Sequence, residues 1–127
     1  MDPQNWIVRA GELFWAGPPH RVDRVLHDGD VVAGLRVVHA PGHTPGHVIY
    51  FRESDRTAIC GDVLANVNFL SRRIGLGEPP PVVSWDPLLN RESARMLWRL
   101  QPSLICFGHG PPLRDLKQLE HYIAHLP

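Results

Sequence analysis

Pro41-Gly42-His43-Thr44-Pro45-Gly46-His47 closes a series of histidines spaced by four, His39, His43 and His47. On a helix that spacing would stack three imidazoles on one face, but two prolines and two glycines break the segment. The flanking runs Leu35-Arg36-Val37-Val38 and Val48-Ile49-Tyr50-Phe51 are β-branched or aromatic. The reading is therefore strand, tight loop, strand. Such a loop suits metal binding, because neutral imidazole is a ready ligand and a Gly/Pro backbone fixes its direction at little steric cost.

Two later fragments repeat the pattern. Thr57-Ala58-Ile59-Cys60 runs into Gly61-Asp62, and Leu104-Ile105-Cys106-Phe107 runs into Gly108-His109-Gly110. Each places one metal-binding side chain just past a strand. Glu53-Ser54-Asp55-Arg56 turns the chain between two of these strands, so His47 starts one member of a hairpin and Asp62 ends the other. In an antiparallel pair the start of one strand neighbours the end of the next, so both side chains reach the same sheet edge. Three strand ends delivering His47, Asp62 and His109 make a geometry for a catalytic metal site. Taken alone, Gly61-Asp62 before Val63-Leu64 also reads as a turn or a helix cap.

The His-Thr-Pro-Gly-His loop, the Gly-Asp and the late Gly-His, in that order, resemble the metallo-β-lactamase-fold hydrolases, especially their glyoxalase II and lactonase-like branch. The resemblance implies an α/β fold, an αββα sandwich. It implies that His47 and His109 are metal ligands, that Asp62 bridges two metals or orients the nucleophile, and that His43 stands behind the ligands. It implies one or two zinc ions, with iron or manganese also compatible, and a metal-activated water attacking a small-molecule ester, thioester or lactone. The family's His-x-His-x-Asp-His motif is absent. The eight histidines stand at 20, 27, 39, 43, 47, 109, 121 and 125, and no two are separated by two positions. The resemblance thus covers Val22 to the C-terminus and corresponds to the C-terminal half of a two-half fold, an antiparallel sheet flanked by helices. A catalytic zinc takes about three protein ligands and a two-metal site more, whereas His47, Asp62 and His109 are three in all. One expectation is a hydrolase whose remaining ligands lie upstream or on a partner chain. Another is a non-catalytic half-fold used for assembly, and a third is a mononuclear iron enzyme resembling the persulfide dioxygenases. A half-sandwich leaves apolar sheet surface to cover, so self-association or a partner chain is expected in each case.

The 127 residues, 43% hydrophobic and 20% charged, suffice for a single domain over 1–127 with one core. Thirteen basic and thirteen acidic residues cancel, which removes the field that would favour nucleic acid or an anionic membrane. No apolar run approaches the roughly eighteen residues of a membrane span, and Met1-Asp2-Pro3 does not open a secretory signal. Cys60 and Cys106 lie inside apolar strands without a Cys-x-x-Cys partner, so they read as buried thiols in a reducing compartment. Cytoplasmic residence is the expectation.

Elsewhere, Pro3 to Ala16 carries Trp6, Ile7, Ala10, Leu13 and Phe14 on one face and predicts an amphipathic helix. Val22 to Leu26 predicts a short strand before the turn His27-Asp28-Gly29-Asp30, and Val31 to Val38 a strand interrupted by Gly34. Val67 to Trp85, with Pro79-Pro80-Pro81, predicts a long loop, with Phe69, Arg72, Arg73 and Trp85 as candidates for substrate selection. Asp86-Pro87 predicts a helix start, running to about Leu100 and burying Leu89, Met96, Leu97 and Leu100, with Arg91, Arg95 and Arg99 on a solvated face. Asp115 predicts the cap of a last helix burying Leu116, Leu119, Ile123 and Leu126 and exposing His121 and His125.

Overall fold

The structure is a computed structural model that describes residues 17–18 and 20–127. The helix expected over Pro3 to Ala16, with Trp6 and Phe14, lies outside the described residues. Five strands form one sheet in sequence order: β1 (Val31–Val32), β2 (Leu35–His39), β3 (Val48–Arg52), β4 (Thr57–Gly61) and β5 (Leu104–Phe107). β1 and β2 are joined by Ala33-Gly34, both at positive φ. Two successive residues of that hand give the primed turn whose twist matches a hairpin.

β1 to β4 are antiparallel, as the sequence predicts, but β5 runs parallel to β4. The difference has a topological cause. A parallel neighbour needs a crossover connection, and the segment between β4 and β5 contains helix α1 (Pro87–Arg99). Gly61 pairs with Phe107, so Asp62 and Gly108 leave the sheet side by side. The expected strand over Val22 to Leu26 does not form; Val22 and Val25 are exposed. The edge strand β1 offers only two residues, Val31 and Val32, for it to pair with.

Val38, Ile49, Phe51, Ala58, Cys60 and Ile105 are buried and join Ala94 and Leu97 of α1 and Leu119 of α2 (Leu116–Ala124) in one core. Each large apolar side chain so buried contributes roughly 1.5–3 kcal/mol. On the opposite face, strand register lines up Val37, Tyr50, Ile59 and Cys106 in a row. Ile59 is 40% exposed there. Cys60 and Cys106 thus point to opposite faces, and both are free thiols. Burial pushes the Cys60 thiol up to about 12, which makes it inert at neutral pH.

Both helices start where the sequence predicts. Asp86 accepts a hydrogen bond from Leu89 N at 3.0 Å, and Asp115 accepts one from Lys117 N at 3.0 Å. The buried face of α1 differs from expectation: it is Asn90, Ser93, Ala94 and Leu97, while Leu89, Met96 and Leu100 are half-buried. The two polar residues are hydrogen-bonded inward, so the face is selected by partners rather than by apolar spacing. Arg91 also departs from a purely solvated stripe, because its Nε donates to Glu78 Oε1 at 2.8 Å and ties α1 to the long loop.

That loop is less irregular than its composition implies. Ala65 and Gly77 bridge through paired hydrogen bonds of 2.9 Å, and Pro81–Val83 forms a 3-10 turn. Among the described residues, no helix is long and apolar enough to cross a membrane.

Candidate metal centre

His39 pairs with Val48, so residues 40–47 close the β2–β3 hairpin and carry the histidine loop beyond the sheet. Its shape is set by α1. Ser93 Oγ donates to Pro41 O at 2.6 Å, Asp86 N to Gly42 O at 2.8 Å and Trp85 N to His43 O at 3.0 Å. Asn90 Nδ2 donates to Val63 O at 2.9 Å, which fastens the turn after Asp62 to the same helix. One helix end therefore indexes the histidine loop against the Asp62 turn. The sequence reading missed Asn90 and Ser93; the signal was a helical row in which the small or polar Asn90, Ser93 and Ala94 precede Leu97.

His43, His47, Asp62 and His109 meet at this edge. His47 Nε2 accepts a hydrogen bond from Asp62 N at 3.1 Å. Burial, and then the neighbouring His43, hold the His47 imidazole below its ordinary pKa, so it is neutral at pH 7. His43 Nε2 lies 3.8 Å from Asp62 Oδ2, and His109 Nε2 lies 3.7 Å from Asp62 Oδ1. Both separations exceed a hydrogen bond. Asp62 Oδ1 and His47 Nδ1 are shielded from solvent without hydrogen-bond partners. Asp62 sits in a turn rather than at a helix N-terminus.

A cleft of about 710 Å³ opens over these groups. His43, Asp62 and His109 form its polar floor, and Leu64, Ala65, Phe69, Pro79, Pro80 and Val83 its walls. Phe69 meets the His109 ring edge-on at 5.1 Å and 74°. Of the four residues expected to select substrate, Phe69 alone lines the cleft. Trp85 acts here through its backbone, and Arg72 and Arg73 are exposed. His20 and His27 are exposed away from the site, as the sequence predicts, and His121 and His125 are exposed on α2 and just beyond it.

Imidazoles with a carboxylate are donor types for zinc, iron and manganese. A partnerless buried carboxylate oxygen is the group a cation would satisfy. In kind, the donors fit a divalent ion. In number they do not complete a site: among the described residues, no three His, Cys, Asp or Glu side chains are grouped so as to hold one. For His47 Nε2 to bind an ion, it must release the Asp62 amide.

A mixed sheet that gathers imidazoles and a carboxylate at its strand ends, beneath an apolar cleft, is an α/β arrangement. The sequence profile of the Metallo-beta-lactamase superfamily matches residues 3–109, and the chain belongs to that superfamily. The match reaches back past Val22, where the motif resemblance begins. Probable metallo-hydrolase YybB of Bacillus subtilis is 36% identical over 71% of this chain and 39% of its own length. The N-acyl homoserine lactonase of Bacillus thuringiensis is 28% identical over 72% of this chain and 37% of its own. Among solved structures, the di-iron-bound form of TTHA1623 superposes with a TM-score of 0.67 and 28% identity, over 96% of this chain and 57% of that one. The chain spans about half or less of the length of the curated relatives it matches. Its sheet and helices are accordingly a partial metallo-β-lactamase fold.

Proposed function

We propose that the chain carries one half of a metal-dependent hydrolase centre acting on an ester, thioester or lactone. The observation that supports this reading is the Asp62 carboxylate, with its partnerless oxygen, flanked by His43 and His109 on the floor of an apolar cleft. Zinc, iron or manganese bound there would supply a Lewis acid and an acidified water. Asp62, with His109 and a released His47, would hold it. The protein's own part is to orient and to exclude. Asp62 accepts a hydrogen bond from the attacking water, Phe69 and Pro80 seat the apolar part of the substrate, and the Arg91–Glu78 pair holds the proline wall in place. The remaining donors come from a segment or partner chain that covers the sheet face around Ile59. We place the protein in the cytoplasm, where its two free thiols remain reduced.

The sheet face around Ile59, 40% exposed, favours a second reading, a half-fold used for assembly without catalysis. Zinc-loaded protein assayed against an ester, a thioester and a lactone separates the two. The hydrolase reading predicts turnover that Asp62→Asn lowers by about 100-fold or more, while His121→Ala on α2 leaves it unchanged. Equal turnover in Asp62→Asn contradicts the site, and absence of both turnover and bound zinc supports the assembly reading.

A further inference from the structure

The cleft over Asp62 is polar at its floor alone. Its walls are apolar, and among the described residues no lysine or arginine lines it. A charged group laid along those walls would give up water without finding a partner, whereas a methylene chain would gain from leaving water. A smaller hollow of about 170 Å³ adjoins the cleft, with Val67, Leu70 and Leu76 in its walls. Phe69 and Pro80 belong to the walls of both spaces, so the two meet at that pair.

Of the two, Phe69 is the part that can move. Its backbone is held, because Asn68 Oδ1 accepts from Leu70 N at 3.0 Å and from Ser71 N at 2.8 Å, while Asn68 N donates to Arg73 O at 2.9 Å. The ring is not held in this way. Phe69 is 45% exposed and meets His109 edge-on, so a turn about its side-chain bonds gives up one aromatic contact and disturbs no core. Pro80 has no such freedom: its ring is locked to the backbone, and its carbonyl accepts from Val83 N at 3.0 Å. The paired hydrogen bonds between Ala65 and Gly77 fix the strap behind it. A chain growing along the cleft from Asp62 therefore meets the Phe69 ring before it reaches the hollow.

We propose that the cleft takes the uncharged alkyl chain of its ester, thioester or lactone, and that Phe69 is the specificity-determining residue that sets the longest chain accepted. The proposal rests on the hydrolase reading above and deepens it. It selects neutral, chain-bearing substrates and sets aside those whose bound part carries a carboxylate.

The test is calorimetry with a series of 2-alkanones, which keep an ester-like carbonyl and offer no bond to hydrolyse, on wild type and variants whose folding is checked by urea curves. In wild type, affinity is expected to rise about fourfold per methylene, the ratio equivalent to about 0.8 kcal/mol, until the chain reaches Phe69, and then to level off. Phe69→Ala is expected to carry the rise through two further methylenes, about fifteenfold in affinity. Adding Val67→Phe to Phe69→Ala fills the hollow and is expected to cancel that gain. A carboxylate at the far end of the same chain is expected to lower affinity at least about tenfold. The NMR signals of the His43 and His109 side chains mark the place, since a ketone in the cleft shifts both. A wild-type series without a rise, unmoved histidine signals, or equal binding of the carboxylate overturns the chain site. The same plateau in Phe69→Ala and wild type overturns the role of Phe69. None of these readouts involves turnover, so such failures leave the hydrolase reading standing, and failure of the ester, thioester and lactone assay leaves the chain measurements valid.

Discussion

Gly42→Ala is expected to destabilise the chain by about 3 kcal/mol or more, combining backbone strain with overpacking. Gly42 has φ +137°, and a Cβ there would fall on the backbone of Asn90 in α1. Neither side can give cheaply. The Gly42 carbonyl accepts from Asp86 N, and Asn90 is itself anchored to Val63 O, so any shift opens the joint between histidine loop and helix. Gly34→Ala supplies the control: Gly34 has φ +77° but open space around its Cβ position. Its cost is expected at about 1–2 kcal/mol from backbone strain alone. Urea unfolding of the two variants measures the difference. Equal midpoints would mean that the loop does not dock on α1 as described.

Gly108→Ala is expected to do the reverse, sparing much of the fold and damaging the site. A Cβ at Gly108 would collide with Asp62 Oδ1, the oxygen that lacks a partner and faces His109. Gly108 lies outside the left-handed region, so its backbone tolerates alanine and the strain falls on the carboxylate. Turning Asp62 away is expected to weaken divalent-ion binding by about 10–100-fold, the range for loss of a group that orients a ligand. Isothermal titration with zinc, beside a urea curve, measures both. Unchanged affinity would show that Asp62 Oδ1 takes no part in holding an ion.

These two glycines also mark what the sequence makes legible. The loop from Pro41 to His47, the Gly61-Asp62 step and the Gly108-His109-Gly110 exit are readable because each is punctuation after a β-rich run. Strand ends with Gly and Pro leave few alternatives to a tight loop. The hairpin geometry that brings His47 to Asp62 follows from antiparallel pairing alone, and the contact between Asp62 N and His47 Nε2 realises it.

What was not legible depends on partners distant in sequence. The crossover helix α1 was legible, but which strand β5 would join, and so its parallel placement beside β4, depends on backbone pairing distant in sequence. Asn90 and Ser93 go unremarked in the sequence because their acceptors, Val63 O and Pro41 O, lie far along the chain. Val22 to Leu26 fails in the opposite sense: strand-like composition beside an edge strand of only two residues. Arg91 looks like part of a charged stripe, yet it fixes the cleft wall through Glu78.

On the reading proposed above, the edge carrying Asp62 holds a divalent ion. The most direct measurement of this is metal content per chain after zinc loading and removal of free ion, for wild type beside Asp62→Asn, with unfolding curves confirming that both are folded. We predict at least one zinc per wild-type chain and its loss in Asp62→Asn. Zinc-free wild type, or equal zinc in the two proteins, would contradict the account.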